Sequence, residues 1–186
     1  LISSSDMFGM RLLTPDTTFN KAAATILFND NTLIPYVLGY LNSVVARTIL
    51  KMLNPTLNTN IKDILALPII IDSDKKPRIE ELVSRNIEIS KEDWNSFETS
   101  WDFCEHPFIG SYHNMKEAYS VWEQKCSSRF EELKANEEEI NRIFIEIYGL
   151  QEELSPNVLE QDVTVKLADV TREVKSFISY AVGCMF

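Results

Sequence analysis

The sequence has few glycines, cysteines and histidines and no long apolar run, and each shortage narrows what the chain can do. No apolar stretch approaches the roughly 20 residues that a membrane helix needs, so we expect no membrane partner. Only five glycines are present, and they form no glycine-rich cofactor loop. With two histidines, and no Ser or Cys beside a suitable base, nucleophilic catalysis has no support.

The start of the chain and its cysteines bear on cellular location. Residues 1–11 have neither a basic start nor a long apolar stretch, which is unlike a secretory signal. Three cysteines cannot all pair with one another, so we expect a reducing, cytoplasmic location. The chain begins at Leu1 rather than Met and stops within an apolar helical pattern at Phe186, and we expect it to be part of a longer protein.

Charge is unevenly distributed along the sequence, whose net charge is −10. Residues 1–78 carry eight basic and six acidic residues, whereas the remainder carries 10 basic and 22 acidic residues. Binding to nucleic acid requires cations near phosphates, so only the first segment fits that role. We predict two domains on this basis, 1–72 and 73–186.

The periodicity predicts an α+β fold that is predominantly α. One helix is predicted over residues 35–53, apolar around most of its circumference, with Ser43, Arg47 and Lys51 as a narrow polar stripe. Residues 8–13 and 22–28 resemble short β-strands, which we expect to pack on this helix as the edge of a sheet.

A bundle of long helices is predicted for the rest of the chain. Pro55 ends the first helix, and Asn60 with Asp63 caps a single turn before an extended segment over 67–71. The later helices are predicted from Pro77 with a new start near Ser90, over 114–149, and over 167–185.

Two sets of residues superficially resemble catalytic or metal sites. Asn54-Pro-Thr-Leu57 resembles the Asn-Pro-Pro-Tyr tetrapeptide of amino-group DNA methyltransferases but lacks its second proline and its aromatic residue, so we interpret it as a helix stop. The second set consists of Cys104, His106, His113 and Cys126. Its spacing matches no familiar zinc pattern, and packing within an aromatic loop is the preferred interpretation.

Candidate DNA contacts lie in the basic first segment. Arg and Lys suit phosphates, and Asn pairs bidentately with adenine. For each residue the alternative is an ordinary solvated surface. The candidates are Arg47, Lys51, Asn58, Asn60 and Lys62, with Arg11 and Lys21 as further cations.

Several stretches resemble known DNA-modification proteins. Leu38-Gly-Tyr-Leu-Asn-Ser43 and Asp63-Ile-Leu-Ala-Leu-Pro-Ile69 are similar to the end of the target-recognition domain in modification methyltransferases and restriction specificity subunits. Phe97-Glu-Thr-Ser-Trp-Asp-Phe103 and Asn136-Glu-Glu-Glu-Ile-Asn-Arg142 resemble the C-terminal region of the adenine-specific methyltransferase of BREX phage-exclusion systems.

The resemblance implies a function for a larger parent protein. It implies S-adenosylmethionine-dependent methylation of adenine in double-stranded DNA by the parent, with neither catalytic nor cofactor residues in this chain. The chain would then be the end of a target-recognition domain followed by a helical spacer. One alternative is a helical scaffold that binds other defence-system proteins without touching DNA. Another is an acidic DNA mimic.

Overall fold

The structure, a computed structural model, describes residues 8–13, 17–18, 25–56 and 60–185. Every regular element in these ranges is helical, and two are short 3-10 turns, Asn31–Leu33 and Glu160–Asp162. The α-helices of the described residues are α1 (Ile34–Asn42), α2 (Val44–Leu53), α3 (Ile61–Leu65), α4 (Lys76–Trp94), α5 (Met115–Tyr148) and α6 (Val170–Gly183).

The predicted α+β class is therefore wrong for the described part of the chain. Residues 8–13 and 25–28 contain no strand, and residues 22–24 lie outside the described ranges. The backbone of Met10 pairs instead with a side chain: its N–H donates to Asn42 Oδ1 at 2.9 Å, and its carbonyl accepts from Asn42 Nδ2 at 3.2 Å. An amide side chain at the end of α1 satisfies the groups that a neighbouring strand would otherwise bind.

The chain folds as two compact units. Unit 1 comprises Leu1–Arg85 and Asn136–Asn157, and unit 2 comprises Asn86–Ala135 and Val158–Phe186. The predicted domain division between residues 72 and 73 stays a prediction.

The core of unit 1 is built on α1 and α2, which the sequence predicted as one helix. Ser43 separates them, because its extended backbone (φ −71°, ψ 157°) ends α1 and its hydroxyl accepts from the Ala46 N–H to cap α2. Ser43 is consequently buried rather than part of a solvated stripe. The N–H of Val44 donates to Asn141 Oδ1 on α5 at 2.9 Å. A residue outside α1 and α2 therefore stabilises the break between these two helices.

Aromatic rings fill the space between α1 and α5. Phe144 is fully buried and packs against Tyr36 and Tyr40, with both centroid distances 5.5 Å. Leu41, also on α1, is 3% exposed and belongs to the core. No single helix in the described residues is long and apolar enough to span a membrane; α1 with its preceding turn and α2 meet that criterion only together, across a 67° bend.

Gly39 on α1 lies against α4. A Cβ added there would lie 2.8 Å from Val83 Cγ2 and 3.2 Å from Ile79 Cγ2, both on stiff β-branched side chains. The absence of a side chain at Gly39 therefore lets the two helices pack closely.

Gly39→Ala is therefore expected to lower the free energy of unfolding by about 1–3 kcal/mol, because overpacking outweighs the better helix propensity of alanine. Chemical denaturation measures the change. Gly183→Ala in α6 is the matched control: nothing lies within 4 Å of the added Cβ, so it should be neutral or stabilising by up to about 1 kcal/mol. Equal stabilisation by both variants would contradict the close packing at Gly39.

Unit 2 buries the C-terminal half of α4 against α5. Ile89 is fully buried in a cluster with Phe130 and Leu133, and this contact holds α4 helical through Ser90, where a new helix was predicted. α5 ends as predicted, with Gly149 in a left-handed conformation (φ 68°). α6 begins later than predicted, because Asp169 accepts from the Arg172 N–H at 2.7 Å and caps it there.

Candidate nucleic-acid interface

The predicted DNA-contacting residues surround a corner formed by α2 and α3. Asn54 Nδ2, at the end of α2, donates to Asp63 Oδ2 in α3 at 2.7 Å. Asp63 Oδ2 also accepts from the Asn60 N–H at 2.9 Å, as the sequence predicted for this cap. These hydrogen bonds, first that from Asn54, hold the pKa of Asp63 below its usual range. The carboxylate therefore ties the two helices together.

Asn54 has a structural role in this corner. Its Oδ1 accepts from the N–H of Thr56 at 3.0 Å and from the Thr56 hydroxyl at 2.6 Å. Because its Nδ2 is bonded to Asp63, both ends of the carboxamide are engaged in local structure. The interpretation of Asn54 and Pro55 as a helix stop is confirmed, since α2 ends at Leu53.

The structure places four of the five candidates. Lys51, Asn60 and Lys62 are exposed, with Lys51 one turn before Asn54 and Lys62 directly before Asp63. Arg47 is only partly exposed, between buried Ser43 and exposed Lys51 on α2. Asn58 lies outside the described residues. The corner therefore presents two exposed lysines and one exposed asparagine near one engaged carboxylate.

Folding offsets the charge asymmetry seen along the sequence. The residues of unit 1 number 10 basic and 14 acidic, a net charge of −4, because the basic first segment folds with the acidic residues 136–157. Lys75 pairs with Glu146 at 2.8 Å, and Arg78 forms a two-pronged pair with Glu139 at 2.8 and 2.9 Å. Neither Lys75 nor Arg78 is available to phosphate without losing an ion pair.

Apolar side chains are interleaved with the lysines of the corner. Met52 is 77% exposed and Leu65 80% exposed, and Leu53 and Ile61 are also exposed. Large exposed apolar patches in soluble proteins mark contact surfaces, so this corner combines cations suited to phosphate with apolar groups suited to protein.

Unit 2 contains a cleft of about 760 Å³ that sequence reasoning did not find. At its wall, the guanidinium of Arg129 lies 5.5 Å from the Trp122 ring centroid and contacts Glu92 at 3.3 Å. Trp122 and Arg129 lie seven residues apart on α5, and this spacing was the signal available in the sequence. Since carboxylates and cations line the cleft in nearly equal numbers, its charge selects no ligand class.

The residues that superficially resemble zinc ligands are not grouped as a metal site would require within the described residues. No group of three or more His, Cys, Asp or Glu side chains suited to a metal occurs within the described ranges. His106 is buried against Phe108 and Phe177, with centroids 4.9 and 5.2 Å away, which confirms aromatic packing for this histidine. Burial raises the pKa of the Cys126 thiol to about 12, which makes it an inert core residue.

His106 should make unit 2 sensitive to acid. Burial lowers its pKa, against the opposing charges of Glu173 and Glu98, and its Nδ1 accepts from the Phe108 N–H at 3.1 Å. Because the unfolded chain binds the proton more readily, this contribution is complete above pH 6.5 and is lost as the pH falls below that value. His106→Phe should therefore flatten the dependence of unfolding free energy on pH below 6.5.

Denaturation curves at a series of pH values measure that slope. Trp94→Phe, which replaces an exposed aromatic residue that carries no titratable group, is the control and should retain the wild-type slope. Identical slopes for wild type and His106→Phe would contradict the buried, neutral state of His106.

Comparison with known proteins shows what the chain is similar to. No protein-family model matches the chain. Over almost its whole length, however, the chain is homologous to a segment of adenine-specific methyltransferases, which confirms the resemblance predicted from the sequence.

Two relatives define the match. The chain is 40% identical over 189 residues to the adenine-specific methyltransferase PglX of Lacticaseibacillus casei (strain Zhang). It is 28% identical over 202 residues to the adenine-specific methyltransferase BrxX of Escherichia coli O9:H4 (strain HS). Each match covers 98% of this chain but only 16% of the relative, so the chain spans about a sixth of the length of these proteins.

Proposed function

We propose that this chain is a non-catalytic C-terminal part of an S-adenosylmethionine-dependent, adenine-specific DNA methyltransferase of a phage-defence system. In this proposal it contributes to recognition of double-stranded DNA and to the positioning of domains. Homology to PglX and BrxX supports the parent activity. The engagement of Asn54 in local hydrogen bonds supports a structural rather than a catalytic role for the Asn-Pro segment.

The observation that carries the DNA role is the α2–α3 corner. The Asn54–Asp63 hydrogen bond brings the end of α2 beside α3, and Lys51 and Lys62, one on each helix, are both exposed. Lysine side chains suit phosphates, and asparagine can pair with the base edge of adenine. Arg47, Asn58 and Asn60 complete the proposed contact set.

Lys51→Ala and Lys62→Ala in the full-length parent are expected to weaken DNA binding about equally for cognate and random duplex. Each lost phosphate contact should reduce the slope of log affinity against log salt by about 0.9. Fluorescence anisotropy across salt concentrations measures the slope. Lys116→Ala, at an exposed lysine of α5 in unit 2, is the matched control and should leave it unchanged. Unchanged slopes in both corner variants would contradict a DNA contact here.

A substitution at Asn60 can separate a role in base readout from its role in helix capping. Asn60→Ser retains a good capping residue but cannot pair bidentately with adenine. If Asn60 reads a base, this change should reduce discrimination against a mismatched site by about 1–3 kcal/mol while preserving the salt slope. Asn58→Ala provides the same test at the second candidate.

A helical scaffold that binds other defence proteins is the second candidate function. The exposed Met52 and Leu65 beside the lysines favour it, because phosphate binding does not require such side chains. Met52→Ser with Leu65→Ser should then release a partner protein while leaving DNA affinity of the parent unchanged. Under the DNA proposal, the lysine variants should instead lower the DNA affinity and leave binding of the partner protein unchanged.

A further inference from the structure

Two tyrosine hydroxyls hold the segment after α3 by its backbone. The hydroxyl of Tyr36 donates to the Ile70 carbonyl at 2.9 Å and accepts from the Asp72 N–H at 3.2 Å. The hydroxyl of Tyr148 donates to the Pro68 carbonyl and accepts from the Ile70 N–H at 3.1 Å. Each hydroxyl therefore bridges a carbonyl and the N–H two residues later, as one residue of a parallel neighbouring strand does.

This pattern divides the segment into an inner and an outer edge. The bonded residues are 68, 70 and 72, and their alternation is that of an extended chain, whose successive residues direct N–H and C=O to opposite sides. The outer edge belongs to Ile69 and Ile71. Within the described part of the chain, no hydrogen bond reaches the N–H or the C=O of either residue.

The isoleucine side chains of this segment are also exposed to solvent. Ile69, Ile70 and Ile71 are 46%, 47% and 48% exposed. Isoleucine is among the residues most favoured in strands, and an exposed, apolar extended edge is a template for pairing with another chain segment. Within the described residues, the segment therefore has a hydrogen-bonded inner edge and an outer edge that makes no hydrogen bond.

We infer that residues 68–72 form a docking edge to which an extended apolar segment of the parent methyltransferase, outside this chain, adds as a β-strand. The N–H and C=O groups of Ile69 and Ile71 would bind its backbone, and the isoleucine side chains would pack against its alternate residues. This inference rests on the proposed function only in that the chain is part of the larger methyltransferase.

The size of the relatives argues for an occupant from the same polypeptide. The chain spans 16% of their length, so most of such a protein lies outside it. A tethered segment also reaches an effective concentration in the millimolar range, which a second copy of the protein does not match at ordinary concentrations. Strand addition would fix this part of unit 1 to the rest of the enzyme.

Hydrogen exchange with single-amide resolution in the full-length protein tests the inference. The amides of Ile69 and Ile71 should exchange at least about 10-fold more slowly than free amides, at every protein concentration. Exchange of Ile69 and Ile71 at the free rate, with Ile70 and Asp72 protected, would overturn the proposal. Protection that rises with protein concentration, together with a dimeric mass, would overturn it in favour of a second copy.

Ile71→Pro removes one outer donor and leaves the inner edge intact, since proline tolerates an extended backbone. In the full-length protein it should at least halve the protection of Ile69, whereas Ile71→Val, which keeps the N–H, should not. Unaltered protection of Ile69 in both variants would contradict strand addition. DNA affinity and its salt slope, measured on the same proteins, report separately on the proposed function.

Discussion

Phe144→Ala in α5 is expected to lower the free energy of unfolding by about 3–5 kcal/mol, the usual cost of removing a fully buried phenylalanine. Phe144 is fully buried, and its ring packs against Tyr36 and Tyr40. Loss of the ring would leave a cavity where α1 meets α5. This cavity would adjoin Gly39, where α1 packs tightly against α4. Chemical denaturation measures the change, and the melting temperature should fall by roughly 6 °C or more.

Two controls make the Phe144 result specific. Phe144→Leu retains most of the volume and should cost less than about 1.5 kcal/mol. Leu65→Ala removes an apolar side chain that is 80% exposed and should change stability by less than about 0.5 kcal/mol. A loss from Phe144→Ala no larger than that from Leu65→Ala would show that the aromatic cluster does not stabilise unit 1.

Arg172→Met in α6 is expected to cost about 3–5 kcal/mol, because it leaves a buried carboxylate without its cation. Glu173 is 1% exposed, and its Oε1 accepts from Arg172 Nη2 at 2.6 Å and from Arg172 Nε at 3.0 Å. Arg172 Nη2 also donates to the Leu167 carbonyl at 2.7 Å, and the guanidinium lies 5.8 Å from the Phe97 ring centroid.

A double-mutant cycle separates charge from packing at this site. Arg172→Met combined with Glu173→Leu should recover most of the loss, because the apolar replacement removes the buried carboxylate together with its partly exposed cation. Unfolding free energies of the four proteins measure the coupling. Simple addition of the two single losses would contradict the ion-pair explanation.

Local signals in the sequence predicted several parts of the fold correctly. The helix predicted over 114–149 is α5, Met115–Tyr148, because its apolar stripe recurs at helical spacing and Gly149 adopts the left-handed conformation that ends it. Pro55 ends α2 and Asp63 caps α3 for equally local reasons. The family resemblance, which the homologues confirm, also came from short motifs within the sequence.

The errors arose where contacts distant in sequence decide the structure. The residues 8–13 predicted as a strand bond to Asn42, 32 residues from Met10, and the break at Ser43 is stabilised by Asn141, 97 residues from Val44. The predicted new start at Ser90 does not occur, because Ile89 is buried against α5 residues. Periodicity cannot report such partners.

For the candidate site, the sequence by itself determined which residues have the chemistry for DNA and which family the chain resembles. Only the tertiary structure decided how those residues are grouped. The Asn54–Asp63 bond places Lys51 and Lys62 on one corner, while Lys75 and Arg78 are paired with acidic residues of α5. The physical reason is that electrostatic interaction depends on distance in space, so a cation of a basic stretch is neutralised wherever folding pairs it with an acidic side chain.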